Sequence, residues 1–310
     1  MTFNSHLEKL HEQPIENYDP EKGIQSTAHA IRVSIDWDLY EDGVTILDRL
    51  SHLLKDKRVR EISGLVIGPW DFESSESSAG IVTFLCDHAA ELPQLRALFL
   101  GDIIFEELEC SWIQQSDVSP LFAAFPNLDY FGVRGGTDLS LSHPKHDTLK
   151  HLVIQTGGMS SEVLGQIRDG QFPSLVHLEL WTGSDNYGFD ADTADIDKIL
   201  ELTTMPELRY LGIRNCEIAD QVAAALKDAA ITAQLDTLDL SMGCFGDEGA
   251  AALAANPAIS RLKHLNLEHH YMTEKGMALV KGLGISVNCD DPQEEDVDED
   301  DRYRYIAVSE

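Results

Sequence analysis

The chain has 310 residues, of which 23 are Lys or Arg and 54 are Asp or Glu, so its formal net charge is −31 at pH 7. A phosphate backbone and an anionic membrane surface would both repel such a chain, because affinity for either depends on Lys and Arg neutralising negative charge. Nucleic acid and membrane partners are therefore not expected, whereas the 43% of hydrophobic residues is enough to bury a sizeable core.

Residues 1–60 are predicted to form an N-terminal capping segment that includes a first strand and a first helix. Residues 1–18 contain Glu, His and Gln where a secretory signal would be basic and then apolar, so we expect a cytoplasmic protein. Ile31, Val33 and Ile35 alternate as in a strand, and residues 44–54 have the apolar spacing of an amphipathic helix. A terminal repeat needs such a cover because its outer face has no neighbouring repeat.

Residues 61–289 contain a motif, L-x-x-L-x-L, that recurs eight times with Ile, Phe or Val at some of its apolar positions. Its alternation predicts strands, and the 3.6-residue apolar period between motifs predicts helices. One strand and one helix per repeat predict an α/β solenoid, with a parallel sheet on the concave face and helices on the convex face. The motifs begin at Ile62, Leu95, Leu128, Leu149, Leu175, Leu208, Leu235 and Leu262.

Three of these repeats are lengthened by loops, at residues 70–80, 102–120 and 181–191. Each loop contains a tryptophan beside acidic or glycine-rich sequence. Because loops carry function more often than the scaffold that holds them, Trp70 and Trp112 are candidate binding residues on the rim. The alternative is that these aromatic side chains only pack the loops onto the edge of the solenoid.

Residues 290–310 are predicted to form an acidic C-terminal tail. Nine of the twelve residues from Asp290 to Asp301 are Asp or Glu. Such a block repels itself and has little apolar surface to bury, so we expect it to be disordered. A solvated linker is favoured over a site for a divalent cation or a basic partner. The segment from Arg302 to Val308 alternates in character and could return as an edge strand.

Catalytic and metal-binding motifs are not found in the sequence. Residues 190–201 resemble an EF-hand loop only superficially, because Ala194, Asp195 and Lys198 occupy positions that need other residues. We interpret this acidic stretch as the cap and first turn of a helix. Walker A, G-x-G-x-x-G, G-x-S-x-G and H-E-x-x-H patterns are also missing. The sequence therefore predicts no catalytic residue, no cofactor and no metal.

The most regular repeat begins at Leu235, where L-D-T-L-D-L is followed by a helix-opening stretch from Gly246 to Ala254. The repeat from Leu208 places Cys216 where its side chain would cap the turn after the strand. In these features residues 62–287 resemble leucine-rich repeat proteins of the ribonuclease-inhibitor-like subclass. Because the repeat spacing varies from 21 to 33 residues, we expect an irregular horseshoe. The chain is similar to bacterial cytoplasmic leucine-rich repeat proteins without an assigned activity, a resemblance that implies binding.

Alternation within each motif assigns the residues between the leucines to the concave surface. The first two strands place small or apolar residues there, and the middle strands place polar, aromatic and arginine residues there. Aromatic and arginine side chains dominate binding hot spots. We therefore predict one continuous concave patch. Its candidate residues are Arg134, His151, Gln155, His177, Glu179, Trp181, Tyr210 and Arg214.

The expected function is a non-enzymatic scaffold that holds another protein on its concave face and rim loops. One alternative is a small-ligand or enzyme-accessory protein, in which Arg134 and Arg214 bind an anionic group while His151 or His177 and Glu179 transfer protons. A second alternative is a self-associating structural protein. A monomer is favoured, although the sequence does not determine the oligomeric state.

Overall fold

The computed structural model describes residues 3–201, 204–298 and 301–308. Its chain divides into two compact units, one of residues up to 154 with 170–173, and one of residues 155–169 with those from 174 onward. In each unit, strands of a mostly parallel sheet alternate with helices, which confirms the predicted repeating α/β architecture. The predicted boundaries at residues 60 and 289 differ from this division and stay predictions.

The N-terminal unit has strands that lie side by side in chain order. The first two are antiparallel to each other and the second is parallel to the third. The strands are β1 (Lys9–Leu10), β2 (Gln13–Asn17), β3 (Ala30–Val33), β4 (Gly64–Ile67), β5 (Ala97–Leu100), β6 (Tyr130–Arg134) and β7 (His151–Gln155), the last ending at the unit boundary. The helices are α1 (Trp37–Glu41), α2 (Ile46–Leu53), α3 (Ala79–Asp87) and α4 (Pro120–Ala124), with 3₁₀ turns at Val59–Glu61, Ala89–Glu91 and Cys110–Trp112.

The C-terminal unit repeats the pattern, with parallel pairing from β8 to β12 and neighbouring helices packed side by side. Its helices are α5 (Ser161–Asp169), α6 (Thr193–Ile199), α7 (Ala219–Ala225), α8 (Asp247–Ala255) and α9 (Glu274–Lys281), and its 3₁₀ turns are Asp185–Tyr187, Ala230–Ala233 and Ile259–Arg261. Its strands are β8 (His177–Gly183), β9 (Tyr210–Cys216), β10 (Thr237–Asp239), β11 (His264–Asn266), β12 (Ser286–Asn288), β13 (Asp296–Asp298) and β14 (Asp301–Tyr303).

The eight apolar motifs coincide with the eight strands from β4 to β11. Every first, fourth and sixth motif position is at most 4% exposed. The register explains this burial, because equivalent motif residues pair across adjacent strands, as Leu178 does with Leu211 and Leu211 with Leu238. Side chains at alternating positions must then point to the other side of the sheet, and these side chains form the candidate site.

The acidic tail is more ordered than the sequence predicts. Strands β13 and β14 pair in an antiparallel hairpin, although residues 299 and 300 of the acidic run lie outside the described residues. The physical reason is charge neutralisation, because Glu295 accepts hydrogen bonds from Arg302 and Arg304. Arg304 also pairs with Asp220 at 3.1 Å. The chain then docks beside β9, where the Val308 amide donates to Asn215.

Among the described residues, none of the helices combines the length and the apolar character needed to cross a membrane.

Candidate functional site

The candidate site lies on the C-terminal strand face, which we define as the side of β8–β11 opposite the buried motif residues. Leu178, Leu180 and Leu211 are completely buried, so the alternating residues of β8 and β9 occupy the other face. Pairing of β8 with β9 sets His177 opposite Tyr210 and Trp181 opposite Arg214. Residues that are 33 positions apart in the sequence thereby become neighbours.

Glu179 is the centre of this face, and its carboxylate receives several donors. The Trp181 indole donates to Oε1 at 2.6 Å, and Arg214 Nη1 donates to the same oxygen at 3.0 Å. His177 Nε2 lies 3.5 Å from Oε2. Burial disfavours ionisation of Glu179, yet these donors, with His177 and the Arg214 charge foremost, hold its pKa at about 2. The carboxylate is therefore firmly ionised.

Arg214 connects Glu179 to the next strand. Its Nε donates to Ser241 Oγ at 3.0 Å and lies 3.6 Å from Asp239 Oδ2, while Nη2 approaches Met242 Sδ at 3.0 Å. The guanidinium also lies 5.0 Å from the Trp181 ring centroid. Burial opposes its charge, but the facing carboxylates Glu179 and Asp239 outweigh burial and raise its pKa. The guanidinium is thus already neutralised by the protein.

Tyr210 and His177 form the aromatic part of the face. Their rings stack with centroids 3.9 Å apart and planes only 6° from parallel. The Tyr210 hydroxyl donates to Asp239 Oδ2 at 2.8 Å, and Asn266 Nδ2 donates to the same oxygen at 3.0 Å. Asp239 therefore extends the network to β11. Asp239 was not among the predicted site residues, although an acidic residue at an alternating strand position beside an arginine-bearing strand was a signal for it.

Arg134 lies in a different environment, on the N-terminal strand face formed by the alternating residues of β3–β6. It is 2% exposed, donates to the Ile103 carbonyl oxygen at 2.7 Å, and stacks on the Phe3 ring at 3.8 Å. Its Nη1 lies 3.6 Å from Asp102. The structure therefore places Arg134 inside the N-terminal unit rather than on the exposed patch that the sequence predicts.

Asp102 organises this buried region. Arg32 donates to its carboxylate, and the Leu7 amide donates to it at 3.1 Å. Burial opposes ionisation of Asp102, but the His6 hydrogen bond and the charges of Arg32 and Arg134 lower its pKa. Hydrogen bonds to Asp102 and Glu107 raise the pKa of His6 to about 9. This network was not predicted, because its members lie up to 128 residues apart in the sequence, from His6 to Arg134.

A covering segment, residues 3–10, closes the N-terminal strand face. Leu10 is buried with Ala30, Val66, Ala97 and Phe99, and Leu7 packs against the same cluster. The small or apolar residues predicted to be concave surface are therefore core. Their apolar character was itself a signal, because an exposed sheet face of this kind would need a cover.

The remaining predicted strand residues lie beside these two regions. His151 is half-buried, with its ring 5.1 Å from that of His11 and 6.1 Å from that of Tyr130. Gln155 is 8% exposed at the end of β7. Both residues lie on β7, outside the strands β8–β11 that carry the C-terminal strand face.

The two rim tryptophans differ in exposure. Trp70 is 7% exposed, and its indole donates to the Glu76 carbonyl oxygen at 3.0 Å, so it fixes the loop after β4. Trp112 is 57% exposed, and its carbonyl oxygen accepts from Ser74 at 2.6 Å. Only Trp112 of this pair presents most of its side chain to solvent.

Glu179 is poorly suited to act as a general base. A general base works best with a pKa near the working pH, whereas the pKa of Glu179 is about 2. Binding an anion at Arg214 would separate it from Glu179 and leave a buried carboxylate without its charge partner, which is costly. Across residues 3–201, 204–298 and 301–308, His, Cys, Asp and Glu side chains form no group of three able to hold a metal ion.

The chain matches no protein-family model, and no curated protein matches it. A crystal structure of a protein from Bacteroides fragilis does match, with a TM-score of 0.80 and 31% identical residues. The match covers 90% of this chain and 76% of that protein. The chain belongs to the family of this Bacteroides fragilis protein. The Bacteroides fragilis relative thus shares both sequence and fold with most of the chain.

Proposed function

We propose that the chain is a leucine-rich repeat protein that binds another protein on its C-terminal strand face without catalysing a reaction. The observation that carries the proposal is the network on this face, in which the partly exposed His177, Tyr210 and Arg214 are bonded around Glu179 and Asp239. Tyrosine and arginine are enriched among the residues that supply most binding energy.

The leucine-rich repeat assignment is supported by the turn after β9. Cys216, the last residue of β9, is completely buried there, and its carbonyl oxygen accepts a hydrogen bond from the Cys244 amide at 2.9 Å. Burial raises the pKa of its thiol to about 11, so the thiol remains neutral. A buried cysteine at this position is what the resemblance to the ribonuclease-inhibitor-like subclass implies.

The network also limits the entropic cost of binding. Immobilising a long side chain at an interface costs about 0.5–1.5 kcal/mol. Arg214 already bonds with Glu179, Ser241 and Met242, and Tyr210 is fixed by stacking on His177. These side chains are held in place before a partner arrives, so more of the contact energy remains available as affinity.

The charge of the face favours a basic partner. Three carboxylates on the strand face, those of Glu179, Asp239 and the exposed Glu268, accompany one guanidinium, that of Arg214. The net charge of −31 on the whole chain adds a long-range attraction for cations. We therefore expect the partner to present Lys or Arg around an aromatic or aliphatic contact, with association that weakens as salt is added.

The test is affinity capture from the native host cell, followed by binding measurements with the captured partner. We compare Glu268→Lys, which reverses a charge on the face, with Asp228→Lys, which makes a similar reversal just beyond α7. Both residues are exposed. We expect Glu268→Lys to weaken binding at least tenfold, and Asp228→Lys to have little effect.

A second variant, His177→Ala, removes the ring that stacks on Tyr210 while leaving the buried motif residues untouched. It should also weaken binding. If Asp228→Lys abolishes binding while Glu268→Lys and His177→Ala bind as the parent does, the helix side is the interaction surface and the proposal is wrong.

A further inference from the structure

The N-terminal unit contains a cavity of about 180 Å³ between the start of α2 and the loop that leads into α3. Its walls are mainly apolar and include Val44, Ile46, Leu47, Trp70 and Ile81. Trp70 is held against the loop by its bond to Glu76. Trp70 was predicted to be a rim binding residue, and in the structure it lines this cavity.

The size of the cavity limits what it could hold. An apolar cavity of about 150 Å³ accepts one benzene molecule. A cavity of 180 Å³ therefore has room for a single aromatic ring or a branched aliphatic group, with one or two further atoms directed to solvent. Larger metabolites such as nucleotides would not fit inside it.

Aromatic rings and carboxylates line the cavity or contact its lining residues. Tyr40 lines the cavity, and its ring packs against Trp37 and Phe72 with centroids 5.8 and 5.4 Å away. Trp37 is 47% exposed. Aromatic faces attract cations through the ring quadrupole, so this cluster favours a positively charged ligand.

Carboxylates at and near the cavity also favour a positively charged ligand. Glu76 lines the cavity, and Glu73 lies 3.4 Å from the Tyr40 hydroxyl. Asp48 accepts a hydrogen bond from Thr45, another lining residue. Among the described residues that line the cavity, none is Lys, Arg or His. An ammonium group at the mouth would therefore meet negative charge and aromatic surface together.

We propose that this cavity is a binding site for a small organic cation that places one apolar ring or branched chain inside and an ammonium group at the mouth. The site is separate from the C-terminal strand face, since all its lining residues belong to the N-terminal unit. Its ligand is a small molecule, whereas the proposed partner of the strand face is a protein.

The test uses three probes of matched size with the full chain: benzylamine, benzyl alcohol and benzoate. Ligand-observed NMR and calorimetry measure their affinities. Benzylamine should bind at least tenfold more tightly than benzyl alcohol, and benzoate should not bind measurably. Glu76→Gln should weaken benzylamine several-fold and leave benzyl alcohol unchanged, because the Glu76 backbone bonds to Asp71 and Trp70 do not depend on its charge.

Gly80 offers a way to fill the cavity. It lies in α3, lines the cavity, and an added Cβ would meet Leu47 at an ordinary contact distance of 3.8 Å. Gly80→Leu should therefore remove benzylamine binding without lowering the melting temperature. The matched control is Gly165→Leu in α5, where an added Cβ meets no atom within 4 Å. This control should bind benzylamine as the parent does.

Three outcomes would overturn the proposal. The first is an absence of benzylamine binding to the parent. The second is full benzylamine binding by Gly80→Leu. The third is equal affinity for benzylamine and benzyl alcohol, which would show that the charge at the mouth contributes nothing.

Discussion

The N-terminal and C-terminal strand faces consist of similar strands but differ in how far their side chains are buried. On the N-terminal face, Val66, Ala97 and Phe99 are buried beneath the covering segment. On the C-terminal face, His177, Tyr210 and Arg214 remain partly exposed and contact one another or carboxylates. The motif residues fix the backbone in both units. The residues between them decide whether a face is buried as core or stays partly exposed.

Removal of the buried charge beneath the covering segment should have the largest effect on stability. Asp102→Asn would leave the guanidinium groups of Arg32 and Arg134 without their shared carboxylate. Breaking a buried ion pair in this way costs about 3–5 kcal/mol. Urea unfolding measures the change, and Asp169→Asn, at an exposed ion pair, is the control. Equal unfolding midpoints for Asp102→Asn and the parent would contradict the described network.

Loosening of the covering segment should have the next largest effect. Leu10 is 1% exposed and packs among Val66, Ala97 and Phe99, so Leu10→Ala should reduce the free energy of unfolding by about 2–4 kcal/mol. Leu279→Ala, at a position 38% exposed on α9, should be nearly neutral. If both variants unfold alike, the segment does not close the N-terminal face.

On the C-terminal face, Glu179→Gln should lower stability by about 1.5–3 kcal/mol at neutral pH, because hydrogen bonds to a charged group are lost. The pKa of Glu179 is lowered from 4.5 to about 2 by the donors that outweigh its burial. Its ionic contribution is therefore complete above pH 4.5 and is lost as the pH falls toward 2.

Urea unfolding at several acidic pH values checks this prediction. The difference in stability between the parent and Glu179→Gln should shrink as the pH decreases through that range. Thr237→Ala, on the same face in β10, serves as the control with little effect at any pH. A difference that stays constant from neutral pH down to pH 2 would contradict the assigned role of Glu179.

His6 should give the smallest effect and the opposite pH dependence. Its pKa is raised from 6.5 to about 9 by hydrogen bonds to Asp102 and Glu107. The stabilisation is complete below pH 6.5 and is lost as the pH rises through 9. Because the side chain is 30% exposed, we expect only about 1 kcal/mol after screening.

The comparison of parent and His6→Gln by urea unfolding at acidic and alkaline pH tests this expectation. The two proteins should differ below pH 6.5 and converge above pH 9. A difference that grows with increasing pH would mean that neutral rather than charged His6 holds the covering segment.

The sequence predicted the parts of the fold that depend on local periodicity. Alternating apolar residues located β4–β11, and the 3.6-residue period located helices such as α2 and α5. It also identified the C-terminal contacts among His177, Glu179, Trp181, Tyr210 and Arg214, because neighbouring repeats bring equivalent positions together. These predictions need only the repeat spacing and the strand alternation.

The covering segment and the Asp102 network could not be predicted in this way. They join residues that are widely separated and follow no repeat, as when Leu7 bonds with Asp102. Strand alternation correctly predicted which face of the sheet carries Arg134. It could not predict that Arg134 is buried there, because the burial depends on Phe3, which is distant in the sequence. The disorder expected for the acidic tail was likewise overturned by Arg302 and Arg304, which follow it.

The covering segment has a consequence for synthesis of the chain on the ribosome. Residues 3–10 emerge well before their partners Phe99, Asp102 and Arg134. At translation rates of about 5–20 residues per second, the segment waits several seconds or longer for them. Until Asp102 and Arg134 are made, the segment that covers Val66 and Ala97 lacks these anchors. A chaperone would therefore be needed most while the N-terminal unit is being synthesised. The need would end when the covering segment closes the N-terminal strand face.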